Sequence, residues 1–151
     1  MNGFSKDEAA RLLELLTEEL ELFTQFRDLT ANQMELIAAD EIDALNASLD
    51  QKEQIIEKIK GLHQESEVLM QSYVLYSANE EGISNEIDAL AERRREMMEL
   101  CAKLSEGVLS EAQGKSMGYT GKIDEISRNR KGVGAYIQDV ENKPEMFDKM
   151  R

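Results

Sequence analysis

Apolar residues recur at intervals of three and four along almost the whole chain. In the first 40 residues they form two adjacent stripes, with acidic and amide residues on the opposite side. A second region continues the pattern through Ile42, Leu45, Leu49, Ile56 and Ile59. This spacing places apolar side chains on one side of an α-helix. The pattern therefore predicts long amphipathic helices that pack against other helices.

Capping signals and breaks divide the pattern into three long helices. Ser5 and Glu8 have the spacing of a capping box at the start of the first helix. The stretch 38–40 predicts the break before the second helix, with Asp40 as its N-terminal cap. We expect helices over residues 5–38, 41–77 and 84–112. The fold class is all-α: an elongated antiparallel helical hairpin with a long third helix, as a three-helix bundle or coiled coil over residues 1–112.

The last segment, residues 113–151, differs from this helical body. It contains five glycines within 21 residues, Gly114, Gly118, Gly121, Gly132 and Gly134. Each costs a helix interior ~1 kcal/mol relative to alanine. An amphipathic pattern nevertheless continues through Ile123, Ile126, Val133 and Ile137. A segment of this kind folds best when another surface supplies a groove, so we expect residues 113–151 to bind a second polypeptide.

Composition and charge narrow the function classes. The chain has 151 residues and a net charge of −13. Residues 1–80 carry 17 acidic and 6 basic residues, whereas residues 113–151 carry 6 and 8. This acidic body makes binding to nucleic acid or to anionic membranes unfavourable. No apolar run approaches the ~20 residues of a membrane span. Because the start also lacks an export signal, we expect a soluble cytoplasmic protein.

The residues with chemical potential do not form a predicted catalytic or metal site. His63 is the only histidine and lies at the edge of its stripe, so we expect it to be half-buried or on the surface. Cys101 lies on the third stripe, as a buried inert thiol would. Gly114-Lys115-Ser116 resembles the end of a phosphate loop, but Leu109 stands where that motif needs glycine. We predict no enzyme activity, no cofactor and no metal.

Two arginines interrupt the apolar stripes. Arg94, in the run Arg93-Arg94-Arg95, falls on the third stripe, and Arg27 falls on the first. Their stems can cover apolar surface while their charged heads reach water. They are interpreted as polar positions that set the register of the helices, with contact to a partner as the alternative.

Several short stretches resemble a known family. Leu-Leu-Glu-Leu-Leu at 12–16, Ile-Asp-Ala-Leu at 42–45 and Gln-Lys-Glu at 51–53 resemble the FlgN-like flagellar type III export chaperones, as does Asn-Gln at 32–33. The end of the chain, from Arg130 to Lys149, resembles the tails of FlgN-like and related FliT-like members. The resemblance implies a small helical cytosolic chaperone. Such proteins keep the hook-associated proteins of the hook–filament junction soluble before export and deliver them to the export gate.

The resemblance also implies sites. In this family the C-terminal amphipathic segment binds the terminal helices of the exported client. The matching client-binding positions in this chain are Leu100, Leu104, Val108, Leu109, Ile123, Ile126, Val133 and Ile137. A tail tyrosine contributes to docking at the export gate, and either Tyr119 or Tyr136 is suited to that role.

The same stripes are compatible with a second class of protein. In a self-assembling structural coiled coil, copies of the chain would cover each other's apolar stripes in a stable homodimer or tetramer. A chaperone should instead be a monomer or a weak homodimer that forms a complex with its client.

Overall fold

The computed structural model describes residues 4–76, 81–115 and 119–150, and the side chains of 4–75, 85–115, 119 and 121–136. Four helices account for nearly all of this part of the chain. They are α1 (Lys6–Ala38), α2 (Ile42–Tyr76), α3 (Glu81–Lys115) and α4 (Thr120–Met150). The all-α class and the three long body helices are confirmed, and the described C-terminal segment forms a fourth helix.

The first helix begins where the sequence predicts. Ser5 is the N-terminal cap, and its hydroxyl accepts a hydrogen bond from the Glu8 amide at 3.0 Å. The Glu8 carboxylate accepts in return from the Ser5 amide at 3.3 Å. This reciprocal pair satisfies two amides that would otherwise lack a partner at the end of the helix.

The corner between α1 and α2 uses Asp40 differently from the prediction. Asp40 adopts a left-handed backbone conformation with φ of 56°. Its amide donates to the carbonyl of Ile37 at 3.1 Å, and the Glu41 amide donates to the carbonyl of Leu36 at 2.9 Å. These two bonds form a Schellman motif, which ends α1. Glycine is the usual residue at the left-handed position, so an aspartate there indicates a further role for its carboxylate.

That carboxylate joins the two corners at this end of the bundle. Its Oδ1 atom lies 3.0 Å from Lys115 Nζ and 3.0 Å from the Tyr119 hydroxyl. Lys115 ends α3 and Tyr119 precedes α4, so Asp40 connects the α1–α2 corner with the α3–α4 corner. The hydrogen bond from Lys115, and then that from Tyr119, lowers the pKa of Asp40 below its usual range.

We expect an Asp40→Gly variant to loosen the start of α4. Glycine relieves the left-handed backbone but removes both side-chain contacts, so amide hydrogen exchange at residues 120–125 should accelerate several-fold while α1 is unchanged. The matched control, Asp40→Asn, keeps an acceptor for Tyr119 but loses the charge, so it should exchange at an intermediate rate. Equal exchange in all three proteins would show that the carboxylate does not anchor α4.

Four helices surround one elongated core. Neighbouring helices in the chain run antiparallel, and α4 lies along α2 and α3, diagonally opposite α1. Two apolar clusters contain side chains from all four helices. The upper cluster, at the Asp40 end, comprises Ile37, Leu45, Leu49, Val108, Leu109, Ala112, Tyr119 and Ile126. The middle cluster comprises Phe23, Phe26, Ile55, Ile59, Met98, Cys101 and Val133.

A third apolar cluster lies at the opposite end of the bundle. In the described residues this lower cluster has members from α1, α2 and α3 alone: Ala9, Leu12, Leu16, Tyr73 and Ile87. Burying a side chain of this kind stabilises the fold by about 1.5–3 kcal/mol before the cost of ordering it. The described side chains of α4, residues 121–136, therefore stabilise the upper and middle parts of the bundle.

Candidate functional site

The candidate site is the groove between α2 and α3 that α4 covers, here called the α4 groove. Its floor is formed by the upper and middle clusters, to which α4 contributes Ile126 and Val133. Both side chains are almost completely buried. Most of the apolar positions that the sequence assigns to client binding lie in or beside this groove.

The surroundings of seven of those eight positions are described, and they range from the core to the surface. Val108, Leu109, Ile126 and Val133 are buried in the protein's own core, and Ile123 packs against the upper cluster. Leu104 is half-buried, and Leu100 is exposed, at 38% of its surface. The side chain of Ile137 lies outside the described residues. The assignment to client binding stays a prediction, and for the buried positions it requires α4 to leave the groove.

The two candidate tyrosines have different surroundings. Tyr119 is 3% exposed and belongs to the upper cluster, and its hydroxyl also lies 3.3 Å from the carbonyl oxygen of Ile37. Burial, together with the Asp40 carboxylate, raises its pKa. Tyr136 is half-buried, with its ring centroid 5.0 Å from that of His63 and 6.3 Å from that of Phe23. Both tyrosines thus fasten α4 to the body, Tyr119 at its start and Tyr136 beside the middle cluster.

The edges of the groove carry charges opposite to those of α4. Arg130 on α4 forms an ion pair with Glu106 of α3 at 2.7 Å. Arg128, one residue before the buried Asn129, lines a small cavity of about 150 Å³ together with Glu53 and Glu57 of α2. The acidic body and basic tail seen in the sequence therefore meet along this groove.

A charged layer separates the lower and middle clusters. Arg94 of α3 forms an ion pair with Glu19 of α1, and both side chains are buried. The Ser66 hydroxyl donates to Glu19 at 2.6 Å, and Glu67 lies 3.5 Å from the Arg94 guanidinium. His63 lies 3.8 Å from Glu19 and 3.9 Å from Glu67. Three helices contribute to this layer, and Tyr136 of α4 lies against its histidine.

A second, mostly uncharged layer separates the middle and upper clusters. It comprises Gln33, Ser48, Lys52, Ser105 and Asn129, all of them buried. Gln33, Lys52, Ser105 and Asn129 each lie between residues of the two clusters on their own helix, as Asn129 lies between Ile126 and Val133. Ser48 precedes Lys52 by about one turn and lies between Leu45 and Leu49, at the upper-cluster side of this level. Every helix of the bundle therefore contributes a polar side chain at this level, here called the amide layer.

Lys52 is the one cation in the amide layer. Its Nζ donates to Gln33 Oε1 at 2.9 Å and lies 4.4 Å from the centre of the Phe26 ring. No described carboxylate forms an ion pair with it. Burial lowers the pKa of Lys52 to about 7, because the charged form loses its hydration. Burial likewise raises the pKa of the neighbouring Cys101 thiol to about 12, in keeping with the predicted buried thiol.

The sequence predicted different surroundings for two of these residues, His63 and Arg94. His63 is buried rather than half-buried at a stripe edge, and the Arg94 head is ion-paired in the core rather than in water. Arg27, in contrast, does reach the surface, where it pairs with Asp28 at 2.8 Å. The amide layer was not predicted at all. The sequence does contain a signal for this layer. Lys52 and Asn129 are polar residues on the apolar stripe, one turn after the apolar residues Leu49 and Ile126.

The described residues show neither a metal-binding cluster nor a membrane-spanning helix. They contain no cluster of three or more His, Cys, Asp or Glu side chains that could hold a metal ion. Within the same part of the chain, the helices fall short of the combined length and apolarity needed to cross a membrane.

Comparison with known proteins gives one match. The family model described as FlgN protein matches residues 1–115, which extend to the last residue of α3 and leave out α4. Neither the curated proteins nor the solved structures gave a significant match to the chain. Because the family model covers most of the sequence, including all three helices that build the body, the chain belongs to the FlgN family of flagellar export chaperones.

Proposed function

We propose that this chaperone binds and masks helices of hook–filament junction proteins in the cytoplasm before type III export, and that it does so in the α4 groove. The client helix takes the place of α4 on α2 and α3. Of the predicted client-binding positions, Val108 and Leu109 then contact the client, whereas Ile123, Ile126 and Val133 lie on the helix that the client replaces. The observation that supports this proposal is that α4, the helix outside the family match, packs on the apolar residues of α2 and α3 in both the upper and the middle cluster.

The composition of α4 favours its exchange for a client helix. Gly121 and Gly134 lie in α4 where a Cβ atom would meet nothing within 4 Å, so neither glycine is required by packing. Each lowers the helix propensity by about 0.5–1 kcal/mol relative to alanine. A helix that lies in a groove but is weakened in this way is held loosely enough for a partner of similar shape to replace it.

The energetics of exchange limit how tightly α4 can bind its own body. The apparent affinity of a client is its intrinsic affinity multiplied by the fraction of molecules in which the groove is open. Each ~1.4 kcal/mol by which α4 binding stabilises the closed groove therefore weakens the apparent client affinity about tenfold. An α4 without glycines would therefore hinder the client. The glycines keep this competition mild while α4 still covers the apolar surface in the absence of a client.

The same exchange would change the surroundings of the candidate gate-docking tyrosines. Tyr119 lies outside α4 and is held by Asp40 and Ile37, so it can remain in place when α4 leaves. Tyr136 lies on α4, where it contacts Phe23 and His63, and would become exposed. Of the two, Tyr136 is thus the one whose exposure would report to the export gate that a client is bound.

Replacing both open glycines should strengthen α4 and weaken client capture. We expect Gly121→Ala with Gly134→Ala to stabilise α4 docking by about 1–2 kcal/mol, and to weaken the apparent affinity for a junction-protein terminal helix by about five- to thirtyfold. The affinity would be measured by isothermal titration calorimetry with the purified full chain and a hook–filament junction protein of the same organism.

A matched control is available on α2. Gly61 also has no atom within 4 Å of the Cβ position, so Gly61→Ala should stabilise α2 by a similar amount and leave client affinity unchanged. If the α4 pair and Gly61→Ala have the same client affinity, α4 does not compete with the client. If the wild-type chain binds no junction protein at all and instead forms a stable homotetramer, the self-assembly alternative is correct.

A further inference from the structure

We propose that the α4 groove selects its client by a short chemical pattern: an amide side chain on the apolar stripe of the client helix, with a cation on either side of it. This inference rests on the proposed function, in which a client helix replaces α4. The pattern is the one that α4 itself presents as Arg128-Asn129-Arg130. It specifies the helix by chemistry, in addition to the apolar stripe that any amphipathic helix has.

The amide requirement comes from the amide layer. Ser48 Oγ of α2, Ser105 Oγ of α3 and Gln33 Nε2 of α1 are buried and have no hydrogen-bond partner among the described residues. Asn129 brings an amide to this level, with its Nδ2 donating to the carbonyl of Glu125 at 2.9 Å and its Oδ1 without a partner. Hydroxyls and an amide N–H can each donate a hydrogen bond to an amide oxygen. An apolar side chain at this level could accept from none of these donors, whereas an amide oxygen offers them an acceptor.

The amide layer also fixes the register of the bound helix. Apolar clusters lie above and below it, and α4 fills them with Ile126 and Val133. A helix that slides by one turn would move its amide into an apolar cluster, where it would have no partner. A single buried amide is known to set the register of packed helices in this way. The groove therefore accepts a helix in one alignment.

The cation requirement comes from the edges of the groove. Glu106 of α3 lies on one side and accepts from Arg130 at 2.7 Å. Glu53 and Glu57 of α2 lie on the other side, and they line one small cavity together with Arg128. A client helix with acidic residues next to its amide would place like charges together on both edges. Complementary charges at the rim of an interface govern selectivity and the rate of association.

The test uses three peptides and a full chain whose own α4 is disabled. Val133→Asp places a carboxylate in the middle cluster and should release α4 from the groove of the full-length protein. The probe is a fluorescein-labelled peptide with the sequence of residues 119–136. In the swapped peptide Asn129→Val is combined with Val133→Asn, so composition and charge are identical. In the third peptide Arg128→Glu is combined with Arg130→Glu.

We expect the unaltered peptide to bind, as measured by fluorescence anisotropy, and the swapped peptide to bind at least about tenfold more weakly. Its amide lies in the apolar middle cluster, and its valine offers no acceptor to the donors of the amide layer. The charge-reversed peptide should also bind at least about tenfold more weakly in 50 mM salt, and this difference should shrink in 1 M salt. If the swapped peptide binds within threefold of the original, the groove recognises only an apolar stripe and the inference is wrong, while the proposed function is unaffected.

Two further results complete the test. If Val133→Asp does not fold, as judged by circular dichroism, the same swap is made within the full chain. Amide exchange in residues 121–136 should then accelerate at least tenfold relative to α1, and unchanged exchange would overturn the inference. If the folded variant binds no peptide although the wild-type chain captures its client, the client does not use this groove, and both the pattern and the site proposed above are wrong.

Discussion

Arg94→Met is expected to lower the free energy of unfolding by about 3–5 kcal/mol, the usual cost of removing one partner from a buried ion pair. Arg94 is 2% exposed and Glu19 is completely buried. Without the guanidinium, Glu19 would keep the Ser66 hydroxyl as its hydrogen-bond donor but would have lost the cation that it pairs with. His63 lies 3.8 Å away and replaces that charge only if it takes up a proton. The methionine fills the space of the arginine stem, so the loss arises mainly from the unpaired carboxylate.

A neighbouring arginine supplies the control. Arg95 pairs with Glu92 and with Glu99, but it lies at the surface, so Arg95→Met should cost less than about 1 kcal/mol. Both variants would be unfolded in guanidinium chloride and compared with the wild-type chain. A cost for Arg94→Met no greater than that for Arg95→Met would mean that the charged layer contributes nothing specific to the fold.

Replacing both members of the ion pair shows how much of the lost stability comes from leaving one charge unpaired. Glu19→Leu combined with Arg94→Met removes both charges, and we expect this double variant to recover most of the lost stability. The difference between the double variant and the two single variants measures the coupling between the two side chains. If the double variant is also as helical and as resistant to unfolding as the wild-type chain, the layer serves alignment of the helices rather than stability.

The helices of this chain could be predicted because their signals are local. The Ser5–Glu8 capping box and the apolar periodicity each involve residues within one or two turns of each other. Contacts between distant parts of the chain have no such signal. Arg93, Arg94 and Arg95 are the same residue type, and only Arg94 falls on the apolar stripe of the helix. Its partner Glu19 lies 75 residues earlier, so the pairing depends on how α1 packs against α3.

In the candidate site, too, the local pattern could be predicted from the sequence and the long-range packing could not. The stripe through Ile126 and Val133 was predicted, but the fact that α2 and α3 cover it depends on tertiary packing. The glycines lower the intrinsic helix propensity of α4 by a few kcal/mol at most, and burial of a few side chains of this size offsets such a penalty. Intrinsic propensity therefore predicted a weak helix but could not show what that helix would pack against.

Lys52→Met is expected to stabilise the fold, by about 2–4 kcal/mol at pH 7. Lys52 is 1% exposed, and its partners are the Gln33 carbonyl oxygen and the face of the Phe26 ring. Neither partner carries a full negative charge, so the cost of removing the ammonium from water is only partly offset. Methionine has a similar length and no charge, and it suits an irregular core. The lost hydrogen bond to Gln33 reduces the gain and is included in the expected range.

The pH dependence of the unfolding free energy shows whether the charge of Lys52 causes the difference between the variant and the wild-type chain. Burial lowers its pKa from 10.5 to about 7, so between these two values the unfolded chain binds a proton that the folded chain does not. Stability of the wild-type chain must therefore rise with pH across this range, whereas Lys52→Met lacks that contribution. The advantage of the variant should be full at pH 7 and below, and it should shrink steadily towards pH 10. Lys58→Met on the exposed side of α2 should stay within about 0.5 kcal/mol of the wild-type chain throughout. An advantage for Lys52→Met that is constant from pH 6 to pH 10 would attribute the effect to packing, and the buried charge would have no part in it.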